Sequence, residues 1–134
     1  MDLRVTYKEG VRFEAETRGH RLEIDQPLSG GGQDRGMTPP ELLLASLGSC
    51  AAYYAVEYLK ARNLPTKGVE VKVHAEKAAS PARVGSFLIE VLVPEVQEER
   101  HLEGVTAAVK KCLIHNTLLH APSIEIVVLQ PVTI

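Results

Sequence analysis

The chain is poor in aromatics, which make up 4% of it, and it has no tryptophan. That scarcity argues against the stacking platforms that hold single-stranded nucleic acids. A surplus of positive charge is missing too: 15 Lys and Arg stand against 17 Asp and Glu, for a net charge of −2. The cations are interleaved with acids, so there is no basic stripe for a polyanion to follow and no nucleic-acid partner is expected. The opening residues, Met1-Asp2-Leu3-Arg4-Val5-Thr6, lack a basic start followed by an apolar core, so no signal peptide is expected. Long apolar runs are also absent. The nearest to one, Leu42 to Leu59, is broken by Ser46, Ser49, Glu57 and tyrosines, and reads as too polar to span a membrane. A cytosolic location is the expectation. There, two cysteines are not a permanent staple but either a reactive pair or two core thiols.

What is present is a chain of 134 residues, 45% apolar, long enough for one domain over residues 1–134 with one sizeable core. Leu3, Val5 and Tyr7 alternate with polar residues, as do Val11, Phe13 and Ala15, and then Leu22 and Ile24. Period two, with Glu9-Gly10 and Gly19-His20 between the runs, predicts a three-stranded antiparallel meander. A loop from Gln26 to Met37 carries Pro27 and Gly30-Gly31-Gly32.

Thr38-Pro39-Pro40-Glu41 combines a capping hydroxyl, proline at the first helical position and an acid three residues after the cap. It predicts a helix through Arg62 that Asn63-Leu64-Pro65 ends. Two strands follow, around Val69–Val73 and Phe87–Val93. A second helix is expected from Gln97 to Leu119, and a last strand from Ser123 to Leu129. The order βββ-α-ββ-α-β is an α+β fold with helices on antiparallel sheet. The first helix is apolar almost all round, more than one sheet can cover, so a homodimer is expected.

Cys50 lies in the middle of that helix, with Leu43, Ser46, Tyr54 and Glu57 on its face. Gly48, Ser49, Ala51 and Ala52 around it suggest room for a substrate, though a small buried core residue fits the same pattern. Cys112 shares a face with Val105, Ala108, Val109 and Leu119, a core-facing stripe, which reads as a packing thiol. Cys112-Leu113-Ile114-His115 could be half a metal site. His20, His74, His101 and His120 supply no second half, so no metal and no cofactor are expected. Gly30-Gly31-Gly32 lacks the Lys-Ser/Thr of a phosphate loop and reads as a flexible loop at the mouth of the Cys50 cleft.

Thr38-Pro-Pro-Glu-Leu-Leu-Leu-Ala-Ser-Leu-Gly-Ser-Cys50 resembles the signature helix of the OsmC/Ohr family, the osmotically inducible and organic hydroperoxide resistance proteins. Lys111-Cys112-Leu-Ile-His-Asn-Thr-Leu-Leu119 resembles that family's second-cysteine helix, and the element order agrees over nearly the whole chain. The resemblance implies an intertwined homodimer with its sites at the subunit interface. It implies that Cys50 is the peroxidatic thiol, attacking an organic hydroperoxide to release an alcohol and become a sulfenic acid. It implies that Cys112 then resolves this to a disulfide for an external dithiol to reduce. An apolar pocket of Leu43, Leu47 and Tyr54 would take the substrate.

An ordinary thiol near pKa 8.5 is only about 3% thiolate at pH 7, so Cys50 needs a cation. By position the family's arginine corresponds to Arg12, with Arg18, Arg21 and Arg35 as rivals. The family's acid falls where this chain has Pro40, while Glu41 is turned about 180° from Cys50 and serves the cap. Glu57 is a possible substitute. Leu113 stands where many relatives carry proline, which points to a less characterised branch. Two other functions fit the same thiols: a small-ligand binder without turnover, and a thiol redox sensor.

Overall fold

The alternating opening forms β1 (Arg4–Glu9), β2 (Arg12–Thr17) and β3 (His20–Ile24), an antiparallel sheet in the order β1-β2-β3. The computed structural model describes residues 1–132. Register sorts the side chains by face. Tyr7 lies opposite Phe13 and Phe13 opposite Ile24, while Val5 lies opposite Ala15 and Ala15 opposite Leu22. These two rows make one apolar face, and the tilted Tyr7 and Phe13 rings sit 5.5 Å apart on it. The other face is laced by ion pairs, Lys8 with Glu14 at 3.8 Å and Arg21 with Glu16 at 3.7 Å. Pairs this exposed add little stability.

Helix α1 (Pro39–Ala61) begins as its sequence requires. Thr38 caps it, accepting from the Glu41 N–H, and the Glu41 carboxylate accepts from the Thr38 N–H at 3.0 Å and its hydroxyl at 2.7 Å. Leu47, Ala51, Ala55 and Leu59, four residues apart, form its buried stripe. The last three of these make up the core with Val93, Val96, Val105 and Val109. Burying a leucine such as Leu59 contributes about 1.5–3 kcal/mol. By length and composition alone α1 would pass for a membrane span, despite the polar residues that break its apolar run. Its packing on β4, β5 and two further helices accounts for part of that apolarity.

Strands β4 (Glu70–Ala78) and β5 (Arg83–Leu92) pair antiparallel and turn Val71, Val73, Ile89 and Val91 toward α1. Gly48 permits the close approach, since a Cβ there would lie 3.0 Å from the Val73 side chain. Helix α2 (Glu99–Val109) is fastened to α1 through Tyr58, whose hydroxyl lies 3.2 Å from His101 Nδ1 and whose ring carries the Arg62 guanidinium at 3.7 Å. Gly104 leaves the space that the Tyr58 ring occupies.

Two expectations are corrected. The second helix does not run from Gln97 to Leu119 in one piece. It tightens at its end, where the N–H groups of Lys111 and Cys112 reach back three residues to the carbonyls of Ala108 and Val109, and Cys112 turns extended. A separate helix α3 (Leu113–Leu119) then starts with Cys112 as its cap residue. The strand expected over Ser123–Leu129 does not form either, because among the described residues no strand pairs with it. Ile124, Ile126 and Val128 stand more than four-fifths exposed.

Candidate active site

Cys50 and Cys112, 62 residues apart in sequence, are joined as a disulfide with their Cα atoms 5.9 Å apart. Cys50 is half-buried on α1, and Cys112 has no exposed surface. The pairing explains the break between α2 and α3. A helix running on through Cys112 would hold its backbone helical, whereas the extended turn there aims the side chain at α1. The small residues near Cys50 have a packing role that the sequence did not reveal. Ala51 is fully buried in the core and Gly48 abuts Val73 on β4, so their size serves helix-on-sheet approach more than substrate entry.

Leu47, one turn before Cys50, is buried and lines a cleft of about 510 Å³ with Phe87, Leu88, His115, Leu118 and Leu119. Leu43 and Tyr54 are half-buried on α1, the Tyr54 ring meeting that of Tyr53 edge-on at 5.5 Å. Glu57 is exposed on the same helix. A second apolar cleft of about 430 Å³ lies between α2 and β5, and His115 lines it as well.

Arg12 belongs to a different part of the chain. Its guanidinium donates to Glu23 Oε1 at 2.7 Å and to Glu9 Oε1 at 3.2 Å, while its Nε is buried without a partner. The hydrogen bond to Glu9, aided by Glu23, holds the guanidinium above its already high pKa against the effect of burial. Arg12, Asp25, Gly31, Gly32 and Gln33 border a cavity of about 190 Å³ that neither cysteine lines. Within one chain the glycine loop therefore borders this cavity and not the Leu47 cleft. It wraps Asp25, whose buried carboxylate accepts from the N–H groups of Gln26, Gln33 and Arg35. Burial pushes Asp25 up, but those three donors and Arg12 outweigh it and hold the carboxyl below its ordinary range. Glu41 is likewise held low, by the Thr38 hydroxyl and N–H, as a capping acid.

The structure thus brings Cys50, Cys112 and Leu47 together and leaves Arg12 on the meander. Sequence reasoning missed Glu23 and Asp25, and read His115 only as half of a metal site. Glu23 supplies the acid for Arg12 that Pro40 cannot, and cross-strand spacing on a meander could have suggested it. Among the described residues no group of three or more His, Cys, Asp and Glu could hold a metal ion. The chemistry on offer is that of a dithiol and its disulfide, a two-electron couple.

The family model for OsmC-like protein matches residues 31–127. Among solved structures, a putative osmotic stress induced and detoxification response protein from Psychrobacter arcticus 273-4 superposes with a TM-score of 0.78 at 20% identity. That match covers 86% of this chain and 85% of the other. An OsmC-like protein from Mycoplasma pneumoniae gives 0.77 at 17% identity, covering 90% and 87%. The organic hydroperoxide resistance protein OhrB of Bacillus subtilis gives 0.62 at 21% identity, covering 87% and 90%. At these identities the likeness is one of fold. No curated protein matches the chain.

Proposed function

The chain belongs to the OsmC-like protein family, and on that premise we propose that it reduces organic hydroperoxides to alcohols with Cys50 as the peroxidatic thiol and Cys112 as the resolving one. The observation that carries this reading is the Cys50–Cys112 link itself, formed between two helices from opposite halves of the chain. The Cys50 thiolate attacks the terminal peroxide oxygen, the O–O bond breaks, and the alkoxide leaves as the alcohol after taking a proton. Cys112 displaces water from the sulfenic acid, and an external dithiol returns both thiols by exchange. The Leu47 cleft, apolar and one turn from Cys50, suits an organic substituent on the peroxide. Of the three residues expected to form the pocket, Leu47 lines this cleft, whereas Leu43 and Tyr54 do not.

The working form is a homodimer in this account. The meander's apolar face is left open, with Leu3, Val5 and Tyr7 each more than half exposed, and α1 retains apolar surface that its own chain does not cover. A second copy satisfies both and supplies its meander to the site. Arg12 is the cation assigned to Cys50, because Glu9 and Glu23 pre-set its guanidinium and its buried Nε awaits a partner.

The test is consumption of cumene hydroperoxide and hydrogen peroxide by the purified chain with excess dithiol. Turnover that prefers the organic peroxide, vanishes in Cys50→Ser and falls at least about tenfold in Arg12→Gln is expected. No turnover, with Cys50 titrating near an ordinary pKa of about 8.5, would reject the reading. One stoichiometric oxidation without cycling would instead make the pair a redox sensor.

A further inference from the structure

His115 and Ile89 line both the cleft between α2 and β5 and the Leu47 cleft, and of the two only His115 can take up a proton. The linings are otherwise apolar apart from a few small polar groups and the ammonium of Lys110 from the end of α2. β5 brings Ser86 and no charge, and α1 brings Leu47. Into these surroundings His115 places a ring nitrogen, Nδ1, that is buried and has no hydrogen-bond partner. Unpaired buried polar atoms are rare, and each calls for a reason.

Position supplies one. Cys112 is the cap residue of α3 and His115 is the third residue inside the helix. A side chain at that place leans back over the cap, since Cα–Cβ bonds tilt toward the helix start. Cys112 is fully buried, and burial in apolar surroundings raises a thiol's pKa and withholds the thiolate. Lys110 and Lys111 next to it in sequence are exposed. A thiol so placed can attack another sulfur only if a base takes its proton.

We propose that His115 is that base and the positioning partner of Cys112. In the reduced chain the Cys112 thiol donates to Nδ1. In the disulfide the thiol proton is gone, which leaves Nδ1 unpaired as observed. During resolution Cys112 Sγ attacks Cys50 Sγ of the sulfenic acid, and the S–S bond forms as the S–O bond breaks. His115 receives the thiol proton and passes it to the departing hydroxide, which leaves as water. The Cys112 sulfur is oxidised and the sulfenic sulfur reduced, so no further reagent enters. The resolution step rests on the peroxidase reading, but the thiol–imidazole pair exists in the reduced protein and needs no peroxide to be seen.

The experiment uses the full chain with Cys50→Ser, in which Cys112 is the single thiol, and follows thiolate absorbance against pH with and without His115→Gln. Cys112 is expected to titrate at or below about 8.5 with histidine present, and about one unit or more higher with glutamine. In the two-cysteine chain, disulfide closure after one equivalent of cumene hydroperoxide should slow about tenfold at pH 7 in His115→Gln. It should recover toward pH 10, where the thiol ionises unaided; a packing defect would not recover. Should glutamine unfold the chain, His115→Asn, which keeps a polar atom near Nδ1, takes its place. A Cys112 titration that is the same with and without His115 overturns the proposal. If the chain consumes no peroxide, the proposed function fails while the Cys112 titration still decides the role of His115.

Discussion

Asp25 carries a large structural role on a single carboxylate. It accepts three backbone N–H groups from the loop that follows it, and Gly32 and Gly36 let that loop close, because a Cβ on either would run into the backbone of Gln26 or Glu23. Its folded pKa is depressed, so its contribution to stability is present above the ordinary value of 3.8 and is lost as pH falls through the depressed one. Urea midpoints measured from pH 7 down to pH 2 should therefore separate the parent from Asp25→Asn most above pH 5. The gap should narrow below 3.8, and one that widens in acid would contradict this assignment. None of this was legible beforehand. Gly30-Gly31-Gly32 reads as a flexible segment until the acceptor it surrounds is known. The cysteines were legible only through resemblance, since Cys50 among small residues and Cys112 on an apolar stripe equally fit two packing thiols.

At the level of elements, α1 could be read directly because its start is written in local chemistry, Thr38 and Glu41 bonding reciprocally around Pro39 and Pro40. Replacing Thr38 with alanine should cost about 1 kcal/mol, readable as a lower urea midpoint with unchanged slope. The meander was equally plain, since alternation and Gly10 and Gly19 at the turns leave little choice. The break between α2 and α3 was not plain. Lys110-Lys111-Cys112 contains no helix breaker, and the turn there belongs to a contact with α1 far away in sequence. The same limit applies to Ser123–Leu129. Its composition suits a strand, but a strand exists only once it is paired, and among the described residues no strand pairs with this segment.

For the molecule as a whole, the cross-link and the open apolar face are the two features that reach beyond any element. A bridge closing a 62-residue separation should stabilise the chain by about 4 kcal/mol on the chain-entropy account. Dithiol should lower the urea midpoint of the parent while leaving Cys112→Ser where it is. An apolar face formed by Tyr7, Phe13, Val5 and Leu22 was foreseeable from alternation, and the expectation of a second copy came from the all-round apolarity of α1. Sedimentation equilibrium should give twice the mass of one chain, and a monomer at micromolar concentration would leave Arg12 without a route to Cys50.

The most direct test of the central claim is a single turnover. The fully reduced chain is mixed with one equivalent of cumene hydroperoxide, quenched, alkylated and digested. The account predicts two thiols lost for each peroxide, a peptide pair linked through Cys50 and Cys112, and, in Cys112→Ser, a sulfenic acid confined to Cys50. Peroxide left unconsumed, with both cysteines alkylated as free thiols, would contradict it.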